Sequence, residues 1–100
     1  MNFTIKYRPK AIEDIEQVID YIEQELFAPI AAERFAKGLF AKIDKLKENA
    51  SIFAISTYED VLQYGQNART VVYKGFTVIY TIHGHYVIVH RIIHGSFIKN

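Results

Sequence analysis

The sequence predicts a single α+β domain in the order β-α-α-β-β-β, in which an antiparallel three-stranded meander and an N-terminal strand pack on a helical hairpin. In the first half, apolar residues recur at spacings of three and four over two long segments, as on one face of a helix. In the last third, β-branched and aromatic runs are separated by Lys74-Gly75 and His83-Gly84, which are typical of hairpin turns. One hundred residues, half of them hydrophobic, are enough for one such domain over residues 1–100.

The composition excludes several classes of protein. The chain contains no cysteine, so it is neither a disulfide scaffold nor a thiolate enzyme. Lys6 and Arg8 place charge too early for a signal peptide, and no run approaches the roughly 18 apolar residues of a membrane span. We therefore expect a cytoplasmic protein with no membrane partner and no cofactor.

Charge is strongly segregated, although the formal net charge is only +1. Acids and no bases occupy positions 13 to 25, and after Asp60 there is no acid at all. The sheet half should therefore be electropositive and attract an acidic partner, unless both faces are simply solvated. The acids are Glu13, Asp14, Glu16, Asp20, Glu23 and Glu25, and the bases after Asp60 are Arg69, Lys74, Arg91 and Lys99, together with four histidines.

The N-terminal half predicts a strand and then two helices. Residues 2–7 alternate between apolar and polar side chains, as in a half-buried strand. Pro9 and Pro29 suit first helical positions, so we expect one helix over about residues 9–26 and a second from Pro29. The short break between them makes the helices antiparallel. The predicted apolar stripes are Ile12, Ile15, Ile19, Ile22 and Leu26 on the first helix, and Ala32, Phe35, Ala36, Leu39, Phe40, Ile43 and Leu46 on the second.

Residues 49–68 form the least regular segment. They contain too many apolar side chains for a free loop, and a structureless stretch of this length is unusual in a small domain. We expect a short helical turn over about residues 59–63 that packs Phe53, Val61 or Leu62 against the core.

The two turns of the meander determine which strand residues face each other. Lys74-Gly75 forms the first turn, and His83-Gly84 is predicted as a two-residue loop because glycine comes second, as type I′ turns prefer. This loop pairs Tyr80 with Val87. A three-residue loop would move the last strand to the opposite face.

This register gives the sheet two faces of different character. The more apolar one should receive the helices, and it comprises Val71, Tyr73, Phe76, Val78, Tyr80, Ile82, Val87, Val89 and Ile93, with Arg69 and Arg91 at its ends. The other is the candidate exposed functional face, and it comprises Thr70, Val72, Thr77, Ile79, Thr81, Tyr86, Ile88, His90, Ile92 and His94.

Few kinds of chemistry suit the side chains of the sheet half. His90 and His94 would lie about 13 Å apart along a strand, and no carboxylate accompanies them, so we expect no metal site. Arg, His, Tyr and Lys can nevertheless promote attack of an RNA 2′-OH on the adjacent phosphate without a metal. An enzyme here would therefore be a metal-independent endoribonuclease.

A short strand, a helical hairpin and a meander from Arg69 to His94-Gly95 resemble the RelE/ParE superfamily of type II toxin–antitoxin toxins, over nearly the whole chain. The resemblance implies a growth-inhibiting toxin that a cognate small acidic antitoxin neutralises. The RelE branch cleaves messenger RNA on the ribosome, and on that interpretation Arg69, His90 and His94 would be catalytic. Nuclease members, however, commonly have an arginine where this chain has Thr77. Only six residues follow His94, so we also expect no terminal helix with a late tyrosine.

The segment from Arg91 to Ser96 is more similar to the ParE branch. That resemblance implies a non-nuclease toxin that poisons DNA gyrase, in a module of the plasmid-stabilisation type. Arg69, Thr77, His90, Arg91 and His94 are then expected to contact the antitoxin or the target. The alternatives are that Arg91 pairs with an acid of the first helix or a backbone carbonyl, that His94 bonds to backbone, and that the domain binds a partner without being toxic.

Overall fold

The computed structural model describes residues 2–95 and residue 98. A strand, a helical hairpin, a short irregular segment and three further strands follow one another, as predicted. The elements are β1 (Thr4–Tyr7), α1 (Pro9–Asp20) continued by a π-helical turn (Tyr21–Glu25), α2 (Pro29–Asp44), α3 (Leu46–Asn49), a 3-10 turn (Ala50–Ile52), α4 (Glu59–Leu62), β2 (Arg69–Tyr73), β3 (Phe76–His83) and β4 (Tyr86–His94).

The strands form one four-stranded mixed sheet in the order β1-β4-β3-β2. Strand β1 lies parallel to β4, with Thr4 opposite Tyr86 and Tyr7 opposite Val89. The other pairs are antiparallel. The α+β class and the predicted meander are therefore confirmed, and the N-terminal strand joins the last strand of the meander.

The helical hairpin covers one face of this sheet. Pro9 and Pro29 occupy first-turn positions of α1 and α2, as predicted, and the first helix ends in its π-helical turn. Three residues of the predicted stripes are wrong, because Ile12, Leu26 and Phe40 are exposed. The main core comprises Phe3, Ala11, Ile15, Phe35, Leu39, Ile43, Leu46, Ala50, Val71, Val78, Tyr80, Val87, Val89 and Ile92.

The β2–β3 turn matches its prediction. Lys74 and Gly75 both have positive φ, of 46° and 83°, as a type I′ turn requires. Tyr73 therefore lies opposite Phe76.

The β3–β4 turn lies one residue later than predicted. His83 pairs with Tyr86, so Gly84, with φ 58°, is the first turn residue and not the second. Tyr80 consequently lies opposite Val89, and its predicted pairing with Val87 is wrong. The error displaces the register by two residues, which keeps every side chain on its face, and Val87 and Val89 are both buried under the helices.

A β-bulge at His90 changes the face of the residues that follow it. Tyr80 pairs with Val89 and Ile79 with Arg91, so β4 contains one extra residue at this point. The predicted faces of Arg91, Ile92 and Ile93 are therefore wrong: Arg91 lies opposite Ile79 on the second face, Ile92 is in the main core, and Ile93 is on the second face. His94 is likewise on the helix-covered side, where its ring meets the Phe76 ring edge-on at 5.3 Å.

The second face of the sheet is partly covered. The predicted helical turn is confirmed as α4, and Val61 and Ala68 pack on Ile79 with Leu62, Tyr64, Ile93 and Ile98 around them. Thr77 and Thr81 are buried beneath this cover, 8% and 0% exposed. The prediction of an open second face is thus wrong at Thr77, Ile79 and Thr81.

No helix within the described part of the chain is both long enough and apolar enough to cross a membrane.

Candidate functional site

Arg91 joins α1 to the sheet through a two-pronged ion pair with Asp14. Its Nε donates to Asp14 Oδ2 at 2.7 Å and its Nη2 donates to Oδ1 at 3.0 Å. The same Oδ2 accepts the backbone N–H of Ile92 at 3.0 Å, and Arg91 Nη1 donates to the Tyr64 hydroxyl at 3.2 Å. The hydrogen bond to Asp14 raises the pKa of Arg91 above its usual value. The alternative in which Arg91 pairs with an acid of the first helix is therefore confirmed.

A groove of about 310 Å³ lies beside this ion pair, between α1 and the end of β4. Its walls are mainly apolar. It is lined by Asp14, Gln17, Val18, Tyr21, Phe76, Arg91, Ile92, Ile93 and His94. Tyr21 is 55% exposed and Arg91 remains 25% exposed, so aromatic and charged atoms reach the rim. An apolar floor with such a rim suits an amphipathic peptide segment.

Arg69 anchors the irregular segment to β2. Its Nη1 donates to the carbonyl oxygens of Ser51 and Phe53 at 2.7 and 2.8 Å, and a backbone bridge joins it to Ile55. Among the described residues, its buried Nε has no hydrogen-bond partner. The Arg69 side chain is therefore already occupied in holding residues 51–53 in place.

His90 lies on the opposite face from the groove. Thr81 Oγ1 is 2.8 Å from Nε2 of His90 and 2.8 Å from Nε2 of His83. Burial lowers the pKa of His90 below its usual value, and the charges of Arg8 and His83 lower it further. The lowered pKa favours the neutral form of the ring.

The structure does not bring Arg69, His90 and His94 together. Arg69 lies level with Tyr80 on one side of β3, whereas His94 lies level with Phe76 on its other side, about 13 Å further along the strand. His90 is on the other face of the sheet. Of the five residues expected to contact a partner, Arg91 and His94 share the groove, while Arg69, Thr77 and His90 lie elsewhere.

Sequence reasoning missed Asp14 as a site residue. It was counted among the solvated acids, yet it is 6% exposed. A signal was available, because Asp14 falls on the buried side of α1, three residues after Ala11 and four before Val18. An acid on an apolar stripe indicates a buried ion pair. Within the described residues, no group of three acids or histidines could hold a metal ion.

Comparisons with known proteins agree with this fold. The family model described as "ParE toxin of type II toxin-antitoxin system, parDE" matches residues 5–98. No curated protein matches significantly. Among solved structures, the chain is similar to one from the "Chromosomal ParDE TA system from P. aeruginosa", with a TM-score of 0.76, 19% sequence identity, and coverage of 92% of this chain and 95% of that one. At this identity the structural likeness concerns the fold.

Proposed function

We propose that this chain, which belongs to the ParE toxin family of type II toxin–antitoxin systems, stops growth by poisoning DNA gyrase until a cognate antitoxin binds it. The family match over residues 5–98 is the observation on which the proposal depends. The toxin would act in the cytoplasm, where gyrase works, and a plasmid that encodes the pair would be stabilised by it.

The positions of the basic residues favour a toxin that is not a nuclease. Cleavage of RNA requires a base, a cation and an acid that all reach one phosphate. Arg69 is bonded to two backbone carbonyls, and Arg91 is paired with Asp14. With His90 on the opposite face from His94, the candidate catalytic groups cannot act on a common phosphate.

The groove beside α1 is the proposed antitoxin site. Tyr21, Phe76 and Ile92 offer apolar contacts, and the exposed edge of Arg91 offers hydrogen-bond donors. Exposed acids of α1 flank one side, whereas Lys74 lies in the turn that leads to Phe76 on the other. A small acidic antitoxin would therefore place apolar side chains in the groove and its acids toward β3 and β4. In this arrangement Arg69 and Thr77 lie outside the groove and would not contact the antitoxin there.

The choice of target can be tested by expressing the chain without its antitoxin. A gyrase poison should cause double-strand breaks and a DNA-damage response while translation at first continues, and the purified toxin should inhibit supercoiling by gyrase. Immediate arrest of translation with ribosome-dependent cleavage of messenger RNA, lost in His94→Ala, would instead identify a RelE-like endoribonuclease. Normal growth alongside tight antitoxin binding would indicate a non-toxic binding domain.

The groove can be tested separately with matched tyrosine variants. Tyr21→Ala should weaken antitoxin binding, whereas Tyr86→Ala, at a tyrosine that is 43% exposed outside the groove, should not. If both variants lose antitoxin affinity equally, the antitoxin binds outside the groove. Far-UV circular dichroism would confirm that both variants are folded.

A further inference from the structure

The part of the second face nearest β1 remains open and forms a pocket of about 440 Å³. Four basic side chains line it: Lys6, Arg8, His83 and His90. No carboxylate among the described residues lines this pocket. The pocket is separate from the groove beside α1, which lies on the helix-covered side.

The strand register accounts for this cluster. Lys6 pairs with Ile88, and Ile88 pairs with Thr81, so these three side chains form one row across β1, β4 and β3. Arg8 follows Lys6 by two positions and therefore projects to the same side. The bulge at His90 leaves the face of Tyr86, Ile88 and His90 unchanged and turns only the later residues of β4 away.

Thr81 connects the two imidazoles in a way that leaves hydrogen-bond capacity toward the pocket. Its hydroxyl has one proton and lies 2.8 Å from Nε2 of both His83 and His90, so it can donate to only one of them. The other ring must donate its Nε2–H to Thr81. An imidazolium at either position can donate through Nε2 to the threonine oxygen and still carries an Nδ1–H donor.

We propose that this pocket binds a terminal phosphate group, either free phosphate or the phosphate of a monoester such as a nucleoside monophosphate. Arg8 supplies a planar guanidinium suited to two phosphate oxygens, Lys6 a point charge, and the histidines N–H donors. The Lys6 ammonium lies 4.8 Å from the centre of the Tyr86 ring, a cation–π contact that holds the lysine beside the pocket.

Binding should be coupled to protonation of His90. The groups around it are Lys6 and Tyr7 of β1, Arg8 directly after that strand, His83 of β3, and Tyr64, whose ring lies 5.8 Å away. In the empty pocket, burial and the nearby cations lower the pKa of His90. A bound dianion favours the imidazolium and so raises that pKa. Binding of sulfate, which stays a dianion over this range, should therefore strengthen from about pH 8 to about pH 6.

The test is an NMR titration of the isotopically labelled full chain with sodium sulfate, inorganic phosphate and adenosine 5′-monophosphate, at constant ionic strength set with chloride. We expect saturable shifts of the His83 and His90 ring signals and a higher pKa of His90 when the ligand is bound. Arg8→Gln should weaken binding about tenfold or more, because a charge-assisted contact is lost. Arg34→Gln, an exposed arginine on α2, should have no effect.

Two results would overturn the proposal. One is shifts that do not saturate, or that are the same in Arg8→Gln and Arg34→Gln, since these would indicate general ionic effects. The other is binding of a short DNA duplex with none of the three small anions, since this would indicate a broad electrostatic surface. Because Arg8 lies outside the groove, Arg8→Gln should retain antitoxin binding. A negative result for phosphate binding can therefore be distinguished from a negative result for antitoxin binding.

Discussion

Asp14 makes three hydrogen bonds from a buried position on α1. Two come from the Arg91 guanidinium and one from the backbone N–H of Ile92, 78 positions later in the chain. Removal of this carboxylate would leave a partly buried cation and a buried N–H without an acceptor. Breaking one side of such a pair costs far more than losing a solvated ion pair.

We therefore expect Asp14→Ala to lower the free energy of unfolding by about 3 kcal/mol in urea denaturation. The control is Glu13→Ala at the adjacent position, where an exposed pair with Lys10 is lost, and the expected change there is below about 0.5 kcal/mol. Similar losses in the two variants would contradict a structural role for the Asp14–Arg91 pair.

Tyr80 makes stability depend on pH at the alkaline end. Its hydroxyl donates to the Ala50 carbonyl at 2.7 Å, and burial raises its pKa to about 12, against about 10 in the unfolded chain. The folded state thus favours the neutral phenol. The stability gained from this preference is complete below about pH 10 and is lost as the pH rises through about 12.

Tyr80→Phe should lower the free energy of unfolding by about 1 kcal/mol at pH 7, because the hydrogen bond is lost. It should also reduce the slope with which stability falls between about pH 10 and about pH 12. Burial also raises the pKa of Tyr7 to about 12, but that group is present in both proteins. Tyr86→Phe, at an exposed tyrosine, should keep the wild-type slope. If the free energy of unfolding falls with pH at the same slope in Tyr80→Phe and in wild type, Tyr80 does not contribute to the alkaline pH dependence.

At the level of elements, α4 is a lid on the second face of the sheet. Val61 is fully buried in the small cluster around Ile79, whereas Val72 on β2 is 59% exposed. Val61→Ala should therefore lower the free energy of unfolding by about 2 kcal/mol, and Val72→Ala should leave it nearly unchanged. Thermal or urea unfolding of the two variants would check this. A loss of stability in Val72→Ala as large as in Val61→Ala would contradict the role of α4 as a lid.

The sequence predicted those elements whose signals are local. Pro9 and Pro29 marked the helix starts, and Lys74-Gly75 marked the first turn, because backbone restrictions decide these positions. The bulge at His90 has no such signal. It brings the Ile92 N–H to Asp14, a contact between residues far apart in the chain. For this reason the predicted faces are wrong from Arg91 onward.

The same distinction applies to the candidate site. The pairing of Arg91 with an acid of the first helix could be foreseen as an alternative, because that helix contains most of the acids. The grouping of Lys6 and Arg8 with His83 and His90 could not be foreseen, because it requires β1 to lie beside β4. Sequence patterns give the faces of a strand but not its neighbour in the sheet.

At the level of the whole molecule, the charge segregation should control how fast an acidic partner arrives. The rate constant for antitoxin association should fall about tenfold or more as salt is raised from low to high concentration. Lys74→Gln, beside the groove, should slow association at low salt, whereas Lys42→Gln near the end of α2 should not. Stopped-flow measurements would show this. Association rate constants that do not change with salt would contradict electrostatic steering of the antitoxin.

The parallel pairing of β1 with β4 also determines when the protein can finish folding as it is synthesised. Thr4 leaves the ribosome early but pairs with Tyr86, 82 positions later. The helical hairpin can form from local contacts, whereas closure of the sheet must wait for the last strand to emerge from the exit tunnel. The complete surface of the toxin is therefore absent until β4 has emerged, and a ribosome that stalls before β4 releases a fragment in which the first strand has no neighbour.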